Sequence, residues 1–448
     1  MRGKKVFKKL TFKGGVHPPG NKKLAESKSI EILPPPKTAI IPVQQHIGAP
    51  AEPIVEVGEH VKTGQKICEA KGFVSVPGHS PITGTVKAIE PRLHPVGGKV
   101  LSIVIEADDE EKISPEINPI PNYLAQSTED MKQKIRDAGL AGMGGAAFPT
   151  HVKLSPPAEK PIDTFILNGA ECEPYLTSDS RLMLEHPNEI IEGMRIIMKI
   201  LNCKVGYIAI EKNKPEAIRV FQKLTKEAGD NFSVIGLNVK YPQGAEKQLI
   251  KAITKREVPA GGLPMDVGCL VQNVGTSKAV YEAVSSNKPL YERVVTVTGK
   301  GIKNPKNILA RIGTQFSELI SFCDGLTDDA AKIINGGPMM GIAQFTQEVP
   351  VTKGTSGIVI LTEKDANLPA AQPCLSCARC VDSCPMNLMP SLLAAYIEHK
   401  NFEEAHKYNV LDCIECGCCS YVCPSKIRHI HLFKYGKMEV TKMLKAAA

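Results

Sequence analysis

The chain has 448 residues, 42% of them apolar and 23% charged, with 37 glycines, 34 prolines, 14 cysteines and no tryptophan. That length exceeds a single compact core and predicts three or four domains, and the composition excludes a wholly disordered or fibrous protein. The formal charge of +8 is concentrated at the start, where Arg2, Lys4, Lys5, Lys8, Lys9, Lys13, Lys22, Lys23 and Lys28 face Glu26 alone.

Residues 1–35 therefore read as a basic arm, either a solvated tail or a docking segment for an acidic partner or anionic lipid. Nucleic acid is disfavoured as its target, because the arm has no interleaved aromatics and the rest of the chain has no basic surplus. The opening MRGKKVFKKLTFKGG lacks the apolar stretch of a secretory leader. Elsewhere no apolar run approaches the roughly 18 residues of a membrane-spanning helix, so the chain is expected neither to span a membrane nor to carry a secretory signal.

Residues 36–110 are rich in Val and Ile, with turns at VGEHVKTGQ and SPITGTV, and predict short strands in a small β-sandwich. This pattern resembles the barrel-sandwich domain of biotinyl and lipoyl carriers, with Lys71 near their modified lysine. Lys71 lies two positions out of the carrier register, so the domain is expected to be structural.

From 120 to 285, helices and strands alternate, which predicts a Rossmann-like parallel α/β domain. STEDMKQKIRDAGL starts as a capping box and runs into a glycine-rich loop, Gly142-Met143-Gly144-Gly145-Ala146-Ala147-Phe148-Pro149-Thr150, whose amides can turn towards a phosphate. A strand then ends in Asn168-Gly-Ala-Glu171-Cys172-Glu173-Pro174, where open α/β sheets bind ligands. Two later junctions carry Tyr241-Pro-Gln-Gly244-Ala245-Glu246-Lys247 and Gln272-Asn273-Val-Gly-Thr276. Four polar, glycine-bearing turns in one domain predict a composite nucleotide site. Residues 286–362 read as a small α+β module, and 363–372 as a polar linker.

Nine cysteines fall between 374 and 423, in two runs: Cys374-x2-Cys377-x2-Cys380-x3-Cys384-Pro385 and Cys413-x2-Cys416-x2-Cys419-x3-Cys423-Pro424. Each is the bacterial ferredoxin run, whose fourth cysteine ligates the other cluster. One [4Fe-4S] cluster is thus expected on Cys374, Cys377, Cys380 and Cys423, the second on Cys413, Cys416, Cys419 and Cys384, with Cys418 no ligand. A disulfide scaffold does not suit a long chain with its thiols crowded into loops, and paired zinc sites would not call for the third cysteine and the Cys-Pro close given twice. Leu392, Leu393, Tyr396, Phe402 and Ala405 have helical spacing, so 368–448 is expected to be a helical ferredoxin-like module. Cys68, Cys203, Cys269 and Cys323 are isolated and read as buried apolar residues, as does Cys172 unless its place among the turns gives it a role.

The ordered set GMGGAAFPT, NGAECEP, YPQGAEKQL and QNVGTS, followed by a small module and an iron–sulfur domain, resembles the flavin-bearing, NADH-oxidising subunit of respiratory complex I and related hydrogenases. With TFKGGVHPPGNK, QHIGAPAEPIVEVG, EAKGFVSVPGHSPITGTV and two ferredoxin runs, it resembles more closely the RnfC family of the Rnf (Rsx) electron-transport complexes. The resemblance implies that 286–362 is a β-grasp-like SLBB domain. It also implies FMN, NAD(H) and two [4Fe-4S] clusters in a peripheral subunit of an ion-translocating ferredoxin:NAD oxidoreductase, on the cytoplasmic face of the inner membrane beside the other Rnf subunits.

By that resemblance Gly142, Gly144, Gly145 and Lys153 match the loop and lysine at the FMN, and Asn168 and Glu171 match flavin-contacting positions. Glu173 matches a carboxylate at the nicotinamide nucleotide, Tyr241, Gly244 and Glu246 the second turn, and Asn273 and Thr276 the third. Met143 stands for an arginine, Ala147 for a glycine and Ala245 for a glutamate. No protein acid or base is needed for hydride transfer to a flavin, so none is nominated. A soluble NADH-dependent iron–sulfur flavoprotein and a flavin-less electron-relay adaptor are the alternatives.

Overall fold

The computed structural model describes residues 10–230, 232–367 and 369–447, which fold into three β-containing units and one helical unit. Residues 1–9 of the basic arm lie outside this description. From Leu10 onward the arm departs from the free tail that charge alone suggests. Phe12 and Val16 are buried, and Ile30–Ile32 is an edge strand pairing in parallel with Lys306–Arg311, far along the chain.

The barrel-sandwich unit has two sheets. Thr38–Pro42, Lys99–Ala107, Gly84–Leu93 and His60–Val61 form one, and Glu52–Pro53, Lys66–Glu69 and Gly78–His79 the other. Alternating apolar side chains enclose a core of Ile41, Val61, Ile67, Val86, Ile103 and Ile105, the period-2 packing of a sandwich. Lys71 is exposed and pairs with Glu52.

The central unit holds a four-stranded parallel sheet in the order Phe232–Leu237, Val205–Glu211, Thr164–Gly169, Cys269–Asn273. Its strands are almost continuously apolar because helices cover both faces. Phe165, Leu167, Ile208 and Ile210 pack on helices Pro187–Leu201 and Val274–Ser286, while Ile166, Ala209 and Val271 pack on Glu246–Thr254. The chain runs outward from Thr164–Gly169 through two strands and then returns to its other flank. The switch point, where such sheets bind ligands, therefore lies between Thr164–Gly169 and Cys269–Asn273.

The third unit is a mixed six-stranded sheet, Ile30–Ile32, Lys306–Arg311, Glu292–Thr298, Gly357–Thr362, Ala330–Asn335 and Ile342–Gln344 in spatial order. Helix Phe316–Phe322 packs on it through Phe316, Leu319 and Ile320. A fully buried lysine, Lys353, joins three units: its ammonium donates to the carbonyls of Pro77 at 2.8 Å and Gly139 at 2.7 Å. The last unit is helical, with Pro390–Glu398, Phe402–Lys407 and His429–Ala447 packed around Leu393, Ile397, Ala405, Phe433 and Val440. The expected linker contains a short helix, Glu363–Ala366. Among the described residues no helix is long and apolar enough to cross a membrane.

Candidate functional site

Asn168 and Asn273 end adjacent parallel strands and are register partners across the switch point. Each fixes a turn. Asn168 donates from Nδ2 to the Gly244 carbonyl at 2.9 Å and accepts from the Ala170 amide. Asn273 caps helix Val274–Ser286 by accepting from the amides of Gly275 and Thr276, as a favoured N-cap residue does.

The glycine-rich loop packs onto this pair. Gly142 donates to the Phe148 carbonyl, and the Met143 amide donates to the Thr276 hydroxyl at 3.0 Å. A Cβ on Gly144 would meet Asn273 at 2.6 Å, whereas one on Gly145 would meet nothing within 4 Å. Gly144, Gly145 and Ala146 are exposed, so the loop presents open backbone above the switch point. Met143, where the resemblance implies an arginine, turns its side chain into the core instead. Ala147 has φ +52°, a left-handed conformation that explains why glycine suits that position. Lys153 reaches the same area from helix Thr150–Lys153, its ammonium 2.7 Å from Glu246 and 3.2 Å from the Val271 carbonyl. Open glycine backbone beside a half-buried ammonium fits an anionic nucleotide.

Three of the expected residues are engaged in contacts within the protein. Glu171, at φ +48°, accepts from the Asp179 amide at 2.7 Å through one oxygen. Its other oxygen is buried without a hydrogen bond, 3.9 Å from the ammonium of Lys22 and 3.8 Å from that of Lys214. Glu173 accepts from the amides of Met339 at 3.2 Å and Met340 at 2.9 Å, and burial raises its carboxyl to about 7. Tyr241 is buried and donates from its hydroxyl to the Cys416 carbonyl at 2.8 Å. Of the three, Tyr241 reaches the iron–sulfur module, sharing a packing cluster with Cys172, Met339, Cys416 and Cys418, while Glu173 holds the Met339–Met340 turn and Glu171 stays beside Asp179.

Other residues at the site escaped sequence reasoning. Asp179 accepts from Asn273 Nδ2 at 2.7 Å; burial first, then the charge of Glu171, raises it to about 7. Its only sequence signal is an acid in the first turn of helix Ser178–Glu185. Buried Arg293 donates to the Met143 carbonyl at 3.3 Å, and Lys22 donates to the carbonyls of Glu171, Glu173 and Leu176. Neither carried a local signal.

The eight run cysteines line two cavities. Cys374, Cys377, Cys380 and Cys423 surround one, and Cys384, Cys413, Cys416 and Cys419 the other, so each takes three thiols from one run and the fourth from the other. Among the described residues no three Cys, His, Asp or Glu are gathered as a single ion would require. Four thiols around each cavity, three from one run and one from the other, fit a thiolate-bound iron–sulfur cluster. Cys418 lines the second cavity, but its thiol faces the Tyr241 carbonyl at 3.9 Å. Cys374 and Cys377 are exposed, whereas Cys384, Cys416 and Cys419 of the second set are buried and Cys413 half-buried, with Cys416 packed beside Tyr241 and Met339.

Four family models match in the order of these units: the RnfC barrel sandwich hybrid domain over residues 10–110, the Nuo51 FMN-binding domain over 135–282, the SLBB domain over 294–343, and the 4Fe-4S dicluster domain over 373–427. The C subunit of the proton-translocating ferredoxin:NAD(+) oxidoreductase complex of Clostridium ljungdahlii is 49% identical over 96% of this chain and 94% of its own. The corresponding C subunit of the Na(+)-translocating ferredoxin:NAD(+) oxidoreductase complex of Acetobacterium woodii is 44% identical over 90% of each chain. Among solved structures, an NAD+-reducing [NiFe]-hydrogenase in the air-oxidized state aligns with TM-score 0.47 at 17% identity, covering 63% of this chain and 55% of that one.

Proposed function

The chain belongs to the RnfC family of ion-translocating ferredoxin:NAD(+) oxidoreductase complexes, and on that premise we propose that it carries electrons between NAD(H), FMN and two [4Fe-4S] clusters in series. FMN and the two clusters are the cofactors of the family's domains. Bound FMN supplies the two-electron to one-electron conversion that a hydride donor and one-electron clusters require.

The chain's own residues bind and orient. The open loop at Gly144 and Gly145 takes the flavin phosphate, with Gly142 bracing it, and Lys153 contributes positive charge held in place by Glu246. Asn168, Gly244, Asn273 and Thr276 build the floor of the pocket. Tyr241 ties the second turn to the iron–sulfur module, Glu173 ties its turn to Met339 and Met340, and Glu171 braces Asp179 beside Asn273. No residue needs to move a proton in the hydride step.

The observation that carries this reading is adjacency. Tyr241, from the same turn as Gly244, touches the backbone of Cys416 in the shielded thiol set. We read that set as the cluster nearer the flavin, and the set with exposed Cys374 and Cys377 as the exit to a neighbouring subunit. The expected partners are the other subunits of the complex, and the expected location is peripheral, at the cytoplasmic face of the membrane. With reduced ferredoxin as the ultimate donor, electrons run inward through the exposed set towards NAD.

Anaerobic purification with metal and flavin analysis tests the assignment. About eight irons and one FMN per chain, with NADH-dependent dye reduction, are expected. Zinc in place of iron overturns the cluster assignment, and absence of flavin with no dye reduction reduces the chain to a relay.

A further inference from the structure

The stretch Leu10–Leu24 lies between the central unit and the iron–sulfur module and touches both within three residues. Gly15 donates to the Ser383 carbonyl at 2.8 Å, and Val16 exchanges hydrogen bonds with Tyr241 at 2.8 and 2.9 Å. Gly14 has φ +78°, and a Cβ there would stand 2.5 Å from the Cys384 carbonyl; Gly15 has φ +80°, and a Cβ there would stand 2.6 Å from that of Tyr241. Only glycine admits this double approach. Cys384 belongs to the shielded thiol set, and Tyr241 also contacts that set through Cys416.

The stretch is pinned at both ends of this contact. On one side Lys240 donates to the Phe12 carbonyl at 2.9 Å and lies 4.6 Å from the centre of its ring. On the other, Lys22 sends its ammonium into the carbonyls of Glu171, Glu173 and Leu176 at 2.6 to 2.9 Å. A connection that only tethered a tail would not need two glycines against the backbone of a cluster loop, nor a buried ammonium on the neighbouring turn.

We propose that Leu10–Leu24 is a strap that sets the distance between the flavin site and the Cys384/Cys413/Cys416/Cys419 cluster, so that Gly14 and Gly15 are positioning residues for electron transfer. The inference rests on the function proposed above. NADH leaves as NAD+ by giving a hydride, two electrons with one proton, to the flavin; the two electrons then pass one to each cluster while the proton is released to solvent, and the strap governs only this second event.

The test compares wild type with Gly14→Ala, Gly14→Val and Lys240→Met, each as the full chain purified anaerobically. Flavin bleaching after mixing with NADH is followed optically, and cluster reduction by freeze-quenched EPR. In all three variants flavin should bleach at the wild-type rate, while cluster reduction slows roughly tenfold or more in Gly14→Val, the scale expected of ångström-level misplacement. Gly14→Ala and Lys240→Met should show smaller delays with full iron content. Cluster reduction at the wild-type rate in Gly14→Val overturns the strap alone. Should Gly14→Val lose iron, Lys240→Met decides, and an undelayed cluster there overturns the proposal. Wild-type protein whose flavin ignores NADH removes the underlying function, and the strap with it.

Discussion

The Tyr241 hydroxyl lies 2.8 Å from the Cys416 carbonyl, a direct hydrogen bond between a nucleotide-site turn and an iron–sulfur loop 175 residues further along the chain. Removing the donor strands a buried carbonyl, at a cost of about 1 to 3 kcal/mol. Tyr241→Phe should therefore loosen the loop, seen as faster hydrogen–deuterium exchange at the amides of residues 413–422. Unchanged protection there would mean that the bond holds nothing.

Cysteine replacements separate ligands from bystanders. Cys418→Ala should keep about eight irons per chain, whereas Cys384→Ala or Cys423→Ala should fall to about four, because each removes the crossed ligand of one cluster. The two losses should differ in EPR signal, with the shielded cluster missing in Cys384→Ala and the exposed one in Cys423→Ala. The reverse pattern would break the crossed assignment.

These thiol sets were legible in the sequence because a cluster dictates the spacing of its own ligands within a short stretch of chain. The parallel sheet and the sandwich were legible through apolar runs and turn residues, both local signals. What stayed hidden depends on contacts between distant segments. Ile30–Ile32 completes a sheet whose other strands begin at Glu292, and nothing in IEI announces it. Lys22 read as one more charge in a basic arm, yet it is caged by three carbonyls. Glu173 sat in the right motif, but its carboxylate holds the Met339–Met340 turn, a stretch with no sequence signature of a site.

Lys153 offers a test of the nucleotide loop. Its ion pair with Glu246 is partly exposed, so Lys153→Met should change stability by only about 0 to 1 kcal/mol. If its ammonium faces the flavin phosphate, the lost charge-assisted contact should weaken FMN binding roughly tenfold or more. Fluorescence titration of FMN into flavin-stripped protein measures this, and unchanged affinity would take Lys153 out of the site.

Lys353 gives a pH dependence. Burial lowers its ammonium from an ordinary 10.5 to about 7 in the folded chain. Between those values the unfolded chain holds a proton that the folded chain has released, so this group makes stability rise with pH across that window. Thermal unfolding of wild type and Lys353→Met should show a difference that shifts in favour of wild type as pH rises from about 7 towards 10.5. A pH-independent difference would show that the lysine titrates normally.

The most direct test of the central claim is an anaerobic NADH titration of the purified chain, watched by absorbance and EPR together. The account predicts that the flavin bleaches and that signals of two reduced [4Fe-4S] clusters then appear, with the cluster lost in Cys384→Ala required for reduction of the exposed one. A flavin that bleaches while both clusters stay oxidised, or an exposed cluster that fills normally in Cys384→Ala, would contradict it.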